Sequence, residues 1–208
     1  MRIDLHVHTA PKSPCSNIRP RDLIEEAKRI GLDGFCLTEH QLLWDAGEVA
    51  RLAEDSGVKI FRGVEITTAQ GDVLVFGLER EIRDIITIQE LNEMVREAGA
   101  FAIAAHPFRG FKMFGVGQLG LSLDQAVKKK ILRFVDAVEV GNGRVTAQEN
   151  ELAGQVAEKA GLLKTAGSDA HELSALGTWV TVFEQEFADE KGLVEALRSG
   201  RYSVASLR

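Results

Sequence analysis

The chain has 208 residues, 45% of them hydrophobic, and carries 25 Lys and Arg against 31 Asp and Glu, a formal charge of −6. That size and balance describe one globular domain with a full core over residues 1–208, and they exclude nucleic-acid affinity from bulk electrostatics, a local basic patch aside. No leader-like segment and no apolar run of bilayer length is present, so a cytoplasmic protein without a membrane partner is expected, with Cys15 and Cys36 as thiols.

From the N-terminus, Arg2 to His8 reads as a strand. Its alternation sends His6 and His8 to one side and Ile3, Leu5 and Val7 to the other, a geometry in which two imidazoles reach one metal ion. After a Pro- and Ser-containing loop, Pro20 to Ile30 is expected as a helix with Leu23, Ile24, Ala27 and Ile30 inward and Gly31 closing it. A strand from Asp33 to Thr38 delivers Glu39 and His40, and a helix is expected from Trp44 to Ser56, capped by Gly57. Val58 to Ile66 reads as a strand that ends at Glu65, and the short Gly71 turn joins it to another over Asp72 to Leu78. Ile88 to Ala98 is a helix, and Phe101 to Ala105 a strand leading into His106-Pro107. The Gly-rich piece from Gly110 to Gly120 lacks periodicity and is read as a long loop at the rim of the site. Helices are expected over Leu123 to Phe134, Ala147 to Ala160 and Lys191 to Ser199. Strands are expected over Ala137 to Val140, Leu162 to Ala166, Thr178 to Phe183 and Tyr202 to Leu207, the second of these leading into Asp169-Ala170-His171.

Strand and helix alternating about seven times point to an α/β fold whose parallel sheet closes, or nearly closes, into a barrel. Active sites of such barrels lie at the C-terminal ends of the strands. All five histidines and Glu39, Glu65 and Asp169 fall at such ends. A single histidine there is more often a hydrogen-bonded structural group than a ligand. The joint pattern reverses that, because packing five imidazoles and several carboxylates into one site without a cation is electrostatically expensive. Cys15 reads either as a soft ligand or as an ordinary loop thiol.

The motifs Asp4-Leu5-His6-Val7-His8-Thr9, Gly31-Leu32-Asp33-Gly34 leading to Thr38-Glu39-His40, Gly63-Val64-Glu65, Ala105-His106-Pro107 and Gly167-Ser168-Asp169-Ala170-His171 resemble, in order, those of the polymerase and histidinol phosphatase (PHP) family of metal-dependent phosphoesterases. The resemblance runs to about residue 185 and implies a distorted (β/α)7 TIM-like barrel with up to three metal ions at its rim. Carried over motif by motif, it puts His6, His8, Glu65 and Asp169 around a first ion, with Glu65 bridging to a second that also uses His106. His40 and His171 then hold a third. Two departures stand out. The family's usual histidine after the bridging Glu corresponds to Leu74 here, and its usual loop Asp or His falls within Ser13-Pro14-Cys15-Ser16-Asn17, where Cys15 is the first substitute and Asn17 a weaker one.

Divalent ions so placed activate water and neutralise leaving-group charge, which suits phosphate ester hydrolysis. Mixed imidazole and carboxylate ligands favour zinc, manganese or iron, one to three per chain. Arg109 and Arg144 read as clamps for a substrate phosphate or as solvated surface arginines. Glu39 reads as a partner orienting an imidazole or as a general acid. The leading expectation is hydrolysis of a small phosphorylated substrate, a phosphomonoester or nucleotide. The alternatives are a degenerate metal-binding module with a regulatory or interaction role, and a metal-dependent amidohydrolase. Oligomeric state is not legible.

Overall fold

Ten strands and six helices occupy the residues that the computed structural model describes, which are 1–54, 56–110 and 122–208. The strands are β1 (Arg2–Val7), β2 (Gly34–Leu37), β3 (Lys59–Arg62), β4 (Val64–Thr68), β5 (Gly71–Phe76), β6 (Phe101–Ala104), β7 (Ala137–Asn142), β8 (Leu163–Gly167), β9 (Val180–Phe183) and β10 (Tyr202–Ala205). The helices are α1 (Pro20–Ile30), α2 (Ala46–Ala53), α3 (Ile88–Ala98), α4 (Leu123–Ala126), α5 (Ala147–Ala160) and α6 (Glu190–Ser199).

Helix ends follow local chemistry. Pro20 opens α1, and Gly31 closes it at φ 73°. Thr87 with Glu90 and Thr146 with Glu149 form reciprocal capping boxes at the starts of α3 and α5, satisfying amides that would otherwise be orphaned. These three helices occupy the spans their periodicity predicts. The helix expected over Leu123 to Phe134 does not run through. Its α-helical part ends at Ala126, Lys129 turns to extended backbone at ψ 130°, and a 3-10 turn follows over Lys130–Arg133. Lys129 donates to the Pro107 carbonyl instead of continuing a run of like charges along one helix.

Where a seven-unit TIM-like barrel is expected, the strands pair as two mixed sheets, ordered β10-β9-β1-β2-β3 and β4-β5-β6-β7-β8. Pairing is parallel for β1 with β2, β2 with β3, β6 with β7 and β7 with β8, and antiparallel around β5 and β9. Among the described residues the sheets meet at isolated parallel bridges, Val7 with Ala170 and His40 with Glu65. The single strand expected from Val58 to Ile66 is two, β3 and β4, one in each sheet. Gly63 is the crossing point: a Cβ there would stand 2.6 Å from the Phe76 ring.

Burial is two-sided along β1. Ile3 and Leu5 join an interior cluster with Phe61, Leu74, Phe76 and Ile103, while Val7 packs with Leu23, Phe35 and Leu37 beneath α1. A register irregularity between Asp4 and Val7 separates the two environments. The opposite face of β1 presents Asp4, His6 and then His8, all 0% exposed. Burying each large apolar side chain here contributes about 1.5–3 kcal/mol, and that packing holds the imidazoles where they are. No helix among the described residues is long and apolar enough to cross a membrane.

Candidate metal centre

The site is assembled at the line where the two sheets meet. His6 and His8 come from the end of β1, His40 from just beyond β2, Glu65 from β4, His106 from just beyond β6, and Asp169 and His171 from the segment after β8. His6 Nε2 and His8 Nε2 face each other at 3.0 Å. Both also face Glu65 Oε2, at 3.4 and 3.2 Å, and Asp169 Oδ1, at 3.6 and 3.4 Å. Four ligands at about 2.0–2.2 Å from a tetrahedral ion are separated by roughly 3.3–3.6 Å, so this spacing is that of a coordination shell.

Two orphaned features support the same fit. Glu65 Oε2 is buried and, among the described residues, has no hydrogen-bond partner, although His40 Nδ1 also lies 3.0 Å from it. The His6 Nδ1–H donates to Glu139 Oε1 at 2.9 Å, which turns Nε2 into the cluster. The residues present therefore fit divalent cations. Glu65 Oε1 reaches His106 Nε2 at 2.9 Å, and the His8 ring stacks on His40 and lies against His171, with centroids at 4.4 and 4.5 Å. Among the described residues, potential donor atoms gather in four overlapping groups: His6, His8 and Asp169; His8, His40 and His171; His6, His106 and Glu139; and Glu65, Asp72 and His106.

Charge follows from this crowding. Burial works against protonation of His6 and His8, yet the surrounding carboxylates more than offset it and raise both. Burial would raise Glu65 and Asp169, but His6 and its neighbours hold both well below the carboxylate range. His171 is pushed down to about 4 by burial, with the positive charge of His8 and Arg144 adding to it, so it is neutral at neutral pH. Its Nδ1–H donates to the Asp169 carbonyl at 2.9 Å, leaving Nε2 as the free donor atom. Backbone strain marks the same place: Gln41, His106 and Asp169 are the non-glycine residues with positive φ among those described, at 55°, 29° and 55°.

Glu39 lies 0% exposed below the cluster. It accepts from the Thr9 amide and hydroxyl, from Ser13 Oγ and from Trp44 Nε1. Ser13 Oγ in turn lies 3.4 Å from His8 Nδ1, so the carboxylate reaches the centre through a hydroxyl. Arg109 Nη2 donates to Asp169 Oδ2 with 38% of its side chain exposed. Arg144 is exposed at the mouth, near enough to act electrostatically on His171 and Cys15. Cys15 is exposed and joins none of the four donor groups. Partial burial, with the charges of Glu39 and Asp169, pushes its thiol up, and Arg144 opposes them. Asn17 uses its backbone N–H on the His171 carbonyl. Of the rim loop expected at Gly110 to Gly120, residues 111–120 lie outside the described residues.

Sequence reasoning missed Glu139 and Asp72. Glu139 stands 1% exposed in the middle of an apolar strand, and a charge in such a run was the available signal. Its Oε2 accepts the His106 backbone N–H at 2.8 Å and Asn142 Nδ2 at 2.9 Å. A cavity of about 230 Å3 beside the cluster is lined by Asp72, His106, Arg109 and Lys129. A groove of about 1040 Å3 runs between α1 and α2 with both signs of charge on its walls, and none of the donor residues line it.

A family model described as "PHP domain" matches residues 4–102, and one described as "PHP-associated" matches residues 147–202. An uncharacterised protein of Methanocaldococcus jannaschii is 31% identical over 117 residues, which cover 52% of this chain and 68% of that protein. Among solved structures, a two-domain protein of Bacteroides vulgatus containing a predicted PHP-like metal-dependent phosphoesterase superposes with a TM-score of 0.72 at 22% identity, over 99% of this chain and 64% of the other. A lesion-specific endonuclease of Pyrococcus furiosus superposes with a TM-score of 0.64 at 17% identity, over 98% and 57%. At these identities the two likenesses are of fold.

Proposed function

Because the chain belongs to the PHP (polymerase and histidinol phosphatase) family, we propose that it is a metal-dependent phosphoesterase that hydrolyses a small phosphorylated molecule, a phosphomonoester or nucleotide. The observation that carries this reading is Glu65 Oε2, buried, unpartnered and faced by nitrogens of His6, His8 and His40. On it, His6, His8, Glu65 and Asp169 hold one divalent ion, Glu65 and His106 share in a second, and His40 and His171 serve a third beside His8. Zinc, manganese and iron all suit such a donor set. When bound, ions of this kind polarise a phosphoryl oxygen, bring an attacking water's pKa near neutrality and neutralise charge on the leaving oxygen.

The chain's own groups prepare that chemistry. Glu139 and the Asp169 carbonyl each accept an Nδ1–H, from His6 and His171, and so fix the nitrogen that faces inward. Glu39, filled by donors, holds Ser13 against His8 and is a positioning residue, not an acid. Arg109 sits between Asp169 and solvent, and Arg144 stands at the mouth; both can turn a planar pair of donors toward phosphoryl oxygens. The 230 Å3 cavity between His106 and Arg109 gives a phosphate and a small ester group room.

The test is phosphate release from a panel of phosphomonoesters, nucleotides, a phosphodiester and a single-stranded oligonucleotide, with manganese or zinc added. Turnover of a small ester that is lost in His8→Ala supports the reading. Absence of turnover by metal-loaded protein, or activity untouched in His8→Ala, overturns it, and turnover of the oligonucleotide alone moves the substrate class to nucleic acid.

A further inference from the structure

Strand β5 is antiparallel to both β4 and β6, so its first residues, not its last, reach the rim where the donors gather. Leu74 pairs with Glu65 across the β4–β5 ladder and is buried in the interior apolar cluster, where it supplies floor and no donor. Two residues earlier on the same face, Asp72 brings a carboxylate oxygen within 4.8 Å of donor atoms of both Glu65 and His106. Its backbone is tied to the same neighbours, since the Ala105 N–H donates to the Asp72 carbonyl immediately before His106. Among the described residues the Asp72 carboxylate takes no hydrogen bond and no ion pair.

The Glu65 carboxylate is 1% exposed, and its Oε1 lies 2.9 Å from His106 Nε2. Two carboxylates this near, one of them buried, repel unless a proton or a cation lies between them. We infer that Asp72 is a ligand, with Glu65 and His106, of the second cation, the donor that Leu74 does not provide. Two carboxylates against one imidazole make this position oxygen-rich, whereas His8, His40 and His171 offer three nitrogens. Carboxylate oxygens suit manganese and imidazoles suit zinc, so zinc's advantage over manganese is smallest at the Asp72 position. The centre then holds two unlike metals when both are supplied, zinc at the three-histidine group and manganese at Asp72.

The inference rests on the phosphoesterase reading only for the presence of cations. The full chain is loaded with one equivalent of zinc and excess manganese, freed of loosely bound ions, and read by elemental analysis and manganese paramagnetic resonance. The wild type is expected to keep manganese beside zinc. Asp72→Ala and the isosteric Asp72→Asn are expected to lose one manganese equivalent and keep the zinc, and Asp72→His, loaded with two equivalents of zinc, to hold a second zinc in place of that manganese. Circular dichroism checks folding, and Asp72→Asn carries the reading if the alanine variant fails to fold. Unchanged manganese content in a folded Asp72→Asn overturns the inference, as does a wild type that keeps no manganese. A protein that gives the expected metal pattern but turns over no ester sinks the phosphoesterase reading and leaves Asp72 in place.

Discussion

Replacing Glu139 by Gln tests whether the centre depends on the carboxylate behind His6. Both oxygens of Glu139 are occupied: Oε1 accepts from His6 Nδ1 at 2.9 Å, and Oε2 accepts from the His106 amide at 2.8 Å and from Asn142 Nδ2 at 2.9 Å. A glutamine has the same shape but one acceptor oxygen. With its NH2 toward His106 and Asn142, three donors meet at one point, and a buried N–H left unpaired costs about 1–3 kcal/mol. With its NH2 toward His6, the imidazole must accept at Nδ1 and carry its proton on Nε2, the nitrogen aimed at the cation. Loss of such an outer partner weakens metal binding by about 10–100-fold, roughly 1.4–2.8 kcal/mol. Competition with a chromophoric chelator near neutral pH measures the affinity, and urea unfolding of the metal-free protein measures the packing cost separately. A folded Glu139→Gln that binds metal within about twofold of wild type would refute the argument, because the tautomer of His6 would then be fixed elsewhere.

Three further outcomes are expected. A Cβ at Gly167 would stand 2.5 Å from His6 Cβ and 2.7 Å from the His6 backbone nitrogen. Gly167→Ala should therefore force β8 from β1 and destabilise by about 1–3 kcal/mol, read as a lower urea midpoint at unchanged slope; an unchanged midpoint speaks against that close approach. Glu26 is held down to about 2, mainly by its hydrogen bonds to Arg29, with Arg208 adding to it and burial opposing. A depressed carboxylate contributes stability that is present above its unfolded pKa and is lost as pH falls through the folded one. Wild type should thus exceed Glu26→Gln by about 1–2 kcal/mol at pH 7, allowing for solvent screening, with the gap closing as acid denaturation is followed from about pH 4.5 toward 2; a gap that stays constant over that range removes the linkage. Adding manganese or zinc at about a hundred times its dissociation constant should stabilise by about 2.7 kcal/mol, and chelation should reverse this; thermal melts that do not respond to either would mean that folded and unfolded chains bind the metal alike.

Much of the centre was legible because alternation in β1 and repeated strand-end histidines are local signals. The caps of α1, α3 and α5 are local too, and those helices begin and end where Pro20, Thr87, Thr146 and their closing glycines put them. What escaped depends on strand direction and on crossing between sheets. Alternation tells which residues share a face of a strand but not which end of it meets the site, so nothing in the alternation alone brings the Asp72 carboxylate within 4.8 Å of donor atoms of Glu65 and His106. The short turn from Thr68 to Gly71 held the answer, since so brief a connection can only join antiparallel strands. Gly63 hid in the strand-like run from Val58 to Ile66 because nothing in that run shows that Phe76 lies against it.

The donors straddle the line between the sheets, with His6, His8 and His40 on one side and Glu65, His106 and Asp169 on the other. The first of the donors in the sequence is residue 6 and the last is residue 171. During synthesis His6 and His8 leave the ribosome before Asp169 and His171, which follow only once β1 to β8 have been made. A cation that needs both sets has no complete shell on the nascent chain, so it is captured late, after β8 has docked beside β1. Metal would then act on the finished fold as a rivet across the seam, slowing its opening more than it speeds its formation.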